Sequence, residues 1–214
     1  MLERMRPHVT VNCAMTADGK LAGRSRRQLR ISSPEDLERV KALRASSDAI
    51  LVGVGTVLSD DPHLTVKSLP PERNPLRVVL DSSGRTPLGA RVLDGRAGTL
   101  IATAEECTAR WPRAEVLRCG KGRVDLPALL GRLYDRGVRS LMVEGGGETI
   151  FSFFREGLVD RYLVFVGSMV VGGRGSPTPA DGEGMPENEE VALRLVGSEV
   201  LGSGVLLSYE VLRE

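Results

Sequence analysis

Apolar residues fall in short unbroken runs along this chain, and between the runs they recur every three to four positions. Runs of four to eight predict strands buried on both faces, and a period near 3.6 predicts helices. Strands are therefore expected at residues 9–15, 49–52, 76–80, 99–103, 114–118 and 140–143, with a longer one at 162–171. A helix is expected from Pro34 to about Ala45, with Ser33 as N-cap and Glu35 and Asp36 in its first turn. Asp125 caps a second helix, on which Leu126, Leu129, Leu130 and Leu133 share a face, and Gly137 ends it. A third helix is expected over 148–156. Residues 192–200 and 205–211 flank Gly202-Ser203-Gly204 and predict an antiparallel hairpin. Asp18–Gly19 marks a turn, 23–30 is a basic loop, and the segment from Gly53 to Leu58 is expected as a glycine turn. Alternating strands and helices give an α/β fold: a mostly parallel central sheet flanked by helices, with the C-terminal hairpin antiparallel.

Composition narrows the class. At 214 residues the chain is expected as a single domain spanning 1–214. With 41% apolar residues it can bury a core, and a net charge of +1 lacks the basic excess of a nucleic-acid protein. One Trp, three Tyr and four Phe offer few platforms for stacking bases. No apolar stretch approaches the ~20 residues needed to span a membrane. The start, MLERMRPH, has no apolar signal-peptide core. Cys13, Cys107 and Cys119 are odd in number and scattered, which suits a reducing cytoplasm rather than a disulfide framework. His8 and His63 lack metal-ligand spacing, so no metal is expected. There is no G-K-[ST] phosphate loop, no G-x-S-x-G elbow, and no H-x-E with P-C-x-x-C zinc signature.

Ligands of α/β sheets gather at the carboxyl ends of strands, so the segments there carry the candidate chemistry. Gly53-Val54-Gly55-Thr56 follows the second strand. It lacks the third glycine of a dinucleotide fingerprint and reads equally as a structural turn or as one whose Thr56 hydroxyl meets a phosphate. Asp81-Ser82-Ser83-Gly84-Arg85 follows the third strand. Asp81 is either a ribose acid, with the serines and Arg85 favouring a 2′-phosphate, or the first residue of a plain Asp-Ser-Ser-Gly turn. Glu144-Gly145-Gly146-Gly147-Glu148 precedes a helix, where exposed backbone N–H groups suit a pyrophosphate. Leu37, Val40 and Arg44 share one helical stripe, so Arg44 either pairs with a structural carboxylate or binds a ligand anion. In Asp60-Asp61-Pro62 an acid either caps the turn or handles a proton.

Read together, these segments resemble the reductases of riboflavin biosynthesis. The matching stretches are AMTADGK (14–20), ISSPEDLERVKALRA (31–45), ILVGVGTVLSDDPHLTV (50–66), NPLRVVLDSSGR (74–85), KGRVDL (121–126), VEGGGETI (143–150) and EGLVDR (156–161). The likeness is strongest to the stand-alone archaeal and fungal type, which acts on 2,5-diamino-6-ribosylamino-4(3H)-pyrimidinone 5′-phosphate. It implies a dihydrofolate-reductase-like fold, a homodimer and NADPH as hydride donor to ribose C1′. It also implies cofactor contacts from Gly55, Thr56, Asp60, the turn of Asp81, Ser82, Ser83 and Gly84, and the loop of Gly145, Gly146, Gly147 and Glu148, with Ala14 or Met15 near the nicotinamide. Asn12, Arg44, Leu64, Lys67 and Glu144 fall at substrate-side positions, with Arg44 and Lys67 on the 5′-phosphate. Asn12 stands where the bacterial enzymes tend to carry Lys, and an amide suits the undeaminated pyrimidine. Asp60 is the expected catalytic carboxyl. Glu148 departs from the Thr or Pro that often follows the glycines. Alternative readings are a reductase of the deaminated pyrimidine or of another carbonyl or pteridine, and a nucleotide-binding module without catalysis.

Overall fold

Nine strands and four helices are formed among residues 5–213, apart from 26 and 28, which are the residues described by the computed structural model. In chain order they are β1 (His8–Thr16), α1 (Pro34–Ala45), β2 (Ala49–Gly53), α2 (Val54–Asp60), β3 (Leu76–Leu80), β4 (Thr99–Thr103), β5 (Glu115–Arg118), α3 (Leu126–Asp135), β6 (Ser140–Gly145), α4 (Gly147–Arg155), β7 (Arg161–Gly167), β8 (Leu193–Leu201) and β9 (Gly204–Val211). The chain folds as two compact units: Leu43–Met142 with the chain up to His8, and Val9–Ala42 with the chain from Val143.

In the first unit β2, β3, β4 and β5 pair successively and in parallel. Their apolar runs are buried on both faces, as parallel strands require: Leu51, Val52, Val78, Val79, Leu100 and Ile101 have no exposed surface. Asp48 ties the start of β2 to that of β6, its Oδ2 accepting from the Arg139 and Ser140 backbone N–H groups. Asp125 caps α3 by accepting from Ala128 N–H at 2.8 Å, and Leu126, Leu129, Leu130 and Leu133 form its buried stripe. Each such leucine contributes about 1.5–3 kcal/mol of burial.

In the second unit β1 and β7 are parallel, while β7–β9 and β8–β9 are antiparallel, the expected terminal hairpin. Ser33 caps α1, accepting from Asp36 N–H at 3.2 Å and donating to the Leu201 carbonyl at 3.1 Å. The hairpin turn packs there so closely that a Cβ on Gly202 would lie 2.6 Å from Ser33 Oγ.

Three expectations need correction. The strand placed at 162–171 stops at Gly167, where a Cβ would come within 2.7 Å of the Ile31 carbonyl and the chain bends away. An exposed Val-rich strand near residues 164–171, compatible with a homodimer, is the second expectation, but Val164 and Phe165 are buried, and the strand with exposed apolar residues is β8, with Leu195 at 55% and Val200 at 79% exposure. On α1 the stripe through Leu37 is not the buried face: Leu37 is half exposed, Asp36 has no exposed surface, and Arg44 is half-buried.

Candidate active site

The first unit places Thr56, Asp60, Leu64 and Lys67 on one continuous segment after β2. The glycine turn expected there is helical: Gly53 is the extended N-cap of α2, and Gly55 is an exposed second residue of that helix, with open space where a Cβ would stand. The segment therefore does not form a dinucleotide-fingerprint loop. Thr56 is half-buried in the first turn, and Asp60 is the last helical residue.

The two adjacent acids separate in role. Asp61 takes the left-handed conformation (φ 41°), its N–H donates to the Val57 carbonyl, and its Oδ1 accepts from Arg91 N–H at 2.7 Å. The capping role thus falls to Asp61. Asp60 Oδ1 is buried and has no hydrogen-bond partner among the described residues. Burial pushes the Asp60 carboxyl above its ordinary value, against a smaller opposing contribution from the Ser59 hydroxyl. It also stands at the negative end of α2, which further disfavours its charge.

The loop after Asp61 is pinned from below. Arg77, in the apolar run of β3, is fully buried and spends its guanidinium on Thr99 Oγ1, Asp94 Oδ1 and the carbonyls of His63, Arg91 and Ala97. His63 Nδ1 lies 2.9 Å from Asp94 Oδ2, and Val66 N–H donates to Asn74 Oδ1 at 2.7 Å. Between them Leu64, 2% exposed, holds φ at 51°, a conformation costly for a large side chain and typical of positions fixed for function. Lys67 is exposed in the turn that follows. The sequence reading missed Arg77 and Asp94; a lone Arg inside a buried strand was the available signal.

Asp81 is the second correction in this unit. It has no exposed surface; its Oδ1 accepts from Arg85 N–H, and its Oδ2 from Thr86 N–H and Oγ1. Its carboxylate shapes its own turn and is not free to hold a ribose. Ser82 Oγ accepts from Val124 N–H, Ser83 and Arg85 are exposed, and Gly84 has φ 79° with Ala109 and Cys107 filling the space of a Cβ.

In the second unit Asn12 is buried on β1, followed by half-buried Ala14 and Met15. Arg39 of α1 donates from Nη2 to Asn12 Oδ1 at 2.7 Å and from Nε to Asp36 Oδ1 at 2.8 Å. Arg39 was not singled out from the sequence, and Asp36 was read there only as an acid of the first helical turn. Next to Asn12, burial raises the Cys13 thiol to about 11, although the Tyr162 hydroxyl lies 3.5 Å from it. The three glycines have different reasons. Gly145 is buried in β6, Gly146 (φ 76°) is the N-cap of α4 and offers no side-chain acceptor, and Gly147 admits the Thr178 carbonyl, 2.3 Å from where a Cβ would stand. The absence of a side chain at Gly147 is thus accounted for by packing within the chain. Glu144 is half-buried, and Glu148 is exposed in the first turn of α4, where its charge favours the helix end.

The RibD C-terminal domain model matches residues 7–207. The chain belongs to the RibD C-terminal domain family. Two archaeal relatives are both named 2,5-diamino-6-ribosylamino-4(3H)-pyrimidinone 5′-phosphate reductase. The one from Archaeoglobus fulgidus is 51% identical over 193 residues, 84% of this chain and 88% of the relative. The one from Methanothermobacter thermautotrophicus is 45% identical over 215 residues, 97% and 99% of the two chains. Among solved structures, a Thermotoga maritima deaminase/5-amino-6-(5-phosphoribosylamino)uracil reductase superposes with a TM-score of 0.78 at 28% identity. This chain is covered to 97% and spans 57% of that one. A riboflavin biosynthesis reductase of Saccharomyces shares the fold, with a TM-score of 0.80 at 22% identity over 99% of this chain and 93% of its own.

Proposed function

We propose that this protein is the riboflavin-pathway reductase that converts 2,5-diamino-6-ribosylamino-4(3H)-pyrimidinone 5′-phosphate to its ribitylamino product with NADPH. The observation that carries the chemistry is the buried Oδ1 of Asp60, without a hydrogen-bond partner among the described residues, beside an Asp61 that has taken over the capping of the helix. The donor set suits a dinucleotide. Gly146 leaves the first N–H groups of α4 without a side-chain cap, and Ser83 and Arg85 are exposed and able to donate to a 2′-phosphate. The cofactor-side residues are Ala14, Met15, Thr56, Asp60, Ser82 to Gly84 and Gly145 to Gly146. NADPH, when bound, supplies the hydride.

The chain's own residues supply the rest. Asn12, Leu64 and Glu144 contact the pyrimidine side, and Arg44 and Lys67 hold the 5′-phosphate. Asp60, whose carboxyl retains its proton to higher pH than an exposed one, delivers that proton to the nitrogen of the open-chain imine as the C1′–H bond forms. One proton and one hydride then account for the amine product. The active form is a homodimer. The support is β8, a strand paired among the described residues with β9 alone, whose Leu193, Leu195, Val196 and Val200 are exposed. V200D should give a monomer in sedimentation; an unchanged wild-type dimer would remove β8 from the interface.

The deciding experiment is an NADPH-oxidation assay with the diamino pyrimidine and its deaminated analogue side by side. Faster turnover of the diamino compound is expected. Preference for the deaminated one would reassign the substrate, and NADPH binding with no oxidation would make the chain a binding module.

A further inference from the structure

Asp36 is out of place by the rules of helix burial. It has no exposed surface, its Oδ1 is held by Arg39, and its Oδ2 is buried with no partner among the described residues. A buried carboxylate left half satisfied costs stability, and an apolar residue would serve a merely packed helix better. What the carboxylate secures is the guanidinium of Arg39, whose Nη2 also reaches Asn12 Oδ1 at 2.7 Å. A guanidinium only donates, so the Asn12 atom facing it must be the oxygen, and the NH₂ group is turned the other way.

We propose that Asp36 and Arg39 are positioning residues that pin the Asn12 amide in one orientation, so that position 12 reads a single donor–acceptor order on the substrate ring. The proposal rests on the reading of Asn12 as a substrate-side residue. A 2-amino-4(3H)-pyrimidinone presents, along its C2–N1 edge, an amino donor and then a bare ring-nitrogen acceptor. In the deaminated ring the same edge presents an oxo acceptor and then an N–H donor. An amide is complementary to either edge after a 180° rotation, as side-chain amides are with the edges of bases. An amide free to rotate accepts both rings. One held through its oxygen accepts one. The second lone pair of that oxygen stays available to the ligand while Arg39 occupies the first.

The test compares R39M, which keeps the length and removes the donors, with R39K, which keeps a donor, and with N12A and the N12A/R39M double variant. Each is assayed on both pyrimidines, with a thermal melt. R39M is expected to reduce the kcat/KM preference for the diamino ring about tenfold, mostly through KM for the pyrimidine, with the NADPH KM nearly unchanged. R39K should keep most of the preference, and R39M should add nothing in the N12A background, because it acts through Asn12. Additive losses in the double variant, or equal losses for R39M and R39K that follow the melting temperature, would overturn the pinning alone. If N12A leaves both pyrimidines unaffected, the substrate-side reading of Asn12 fails and takes the pinning with it.

Discussion

Asp61 accepts the backbone N–H of Arg91 at 2.7 Å and so fastens the end of α2 to the turn thirty residues further on. Its neighbour Asp60 is relieved of that duty, and the two can be separated by mutation. D60N is expected to lower kcat at least ~100-fold, the lower end for loss of a positioned acid. Because burial raises the Asp60 carboxyl, the native state binds that proton more tightly than the unfolded chain. The associated stabilisation is present below the unfolded value and is lost as pH rises through the folded one. At neutral pH D60N should therefore melt no lower than wild type. D61A should melt lower, by the loss of one hydrogen bond of about 1 kcal/mol and of a favourable left-handed residue. Normal turnover by D60N would refute its catalytic role.

NADPH preference should reside in Ser83 and Arg85, since Asp81 is spent on its own turn. R85A is expected to weaken NADPH binding about tenfold and to leave NADH binding nearly unchanged. Fluorescence titration with the two cofactors checks this. Equal losses for both would place Arg85 away from the 2′-phosphate.

R44A should raise KM for the pyrimidine by roughly 10- to 100-fold, the value of a charge-assisted contact, with the cofactor Kd almost unmoved. A parallel loss for both ligands in a well-folded variant would assign Arg44 to a structural pair.

Acid should loosen the first unit in a defined window. Burial alone would raise the Asp94 carboxyl, but hydrogen bonds from Arg77, the Arg96 N–H and His63 outweigh it and hold it at about 2. For a depressed carboxyl the stabilisation is present above the unfolded value near 3.8 and is lost as pH falls toward 2. Melting temperature should fall between pH 4 and 2, and more gently in D94N. Parallel wild-type and D94N curves across that window would contradict the assignment.

Much of this fold is legible because its strands are buried on both faces. β3 and β4 have the expected bounds, since unbroken apolar runs admit little else. α2 escaped because seven residues carry barely two turns of periodicity, and Gly53 at its cap and Gly55 in its first turn mimic a loop. The face of α1 was misread for a different reason: its buried side is polar, with Arg39 donating to both Asp36 and Asn12, and a search for apolar spacing cannot see a stripe held by hydrogen bonds. At Asp81 the simpler turn prevailed because Thr86 supplies both an N–H and a hydroxyl to the same carboxylate oxygen. Residues proposed to meet a ligand through their side chains, such as Arg44 and Lys67, leave no periodic trace and rest on motif likeness.

Ser33 is a single hydroxyl with two obligations, one to the first turn of α1 and one to the carbonyl of Leu201 at the tip of the C-terminal hairpin. Opening of the hairpin frees that hydroxyl and removes the wall that Gly202 sets against α1. The amides of the first α1 turn and of the β8–β9 tip should then exchange with solvent as one cooperative unit. Asp36 lies in that turn, so fraying at the far end of the sequence is transmitted to a strand that begins at His8.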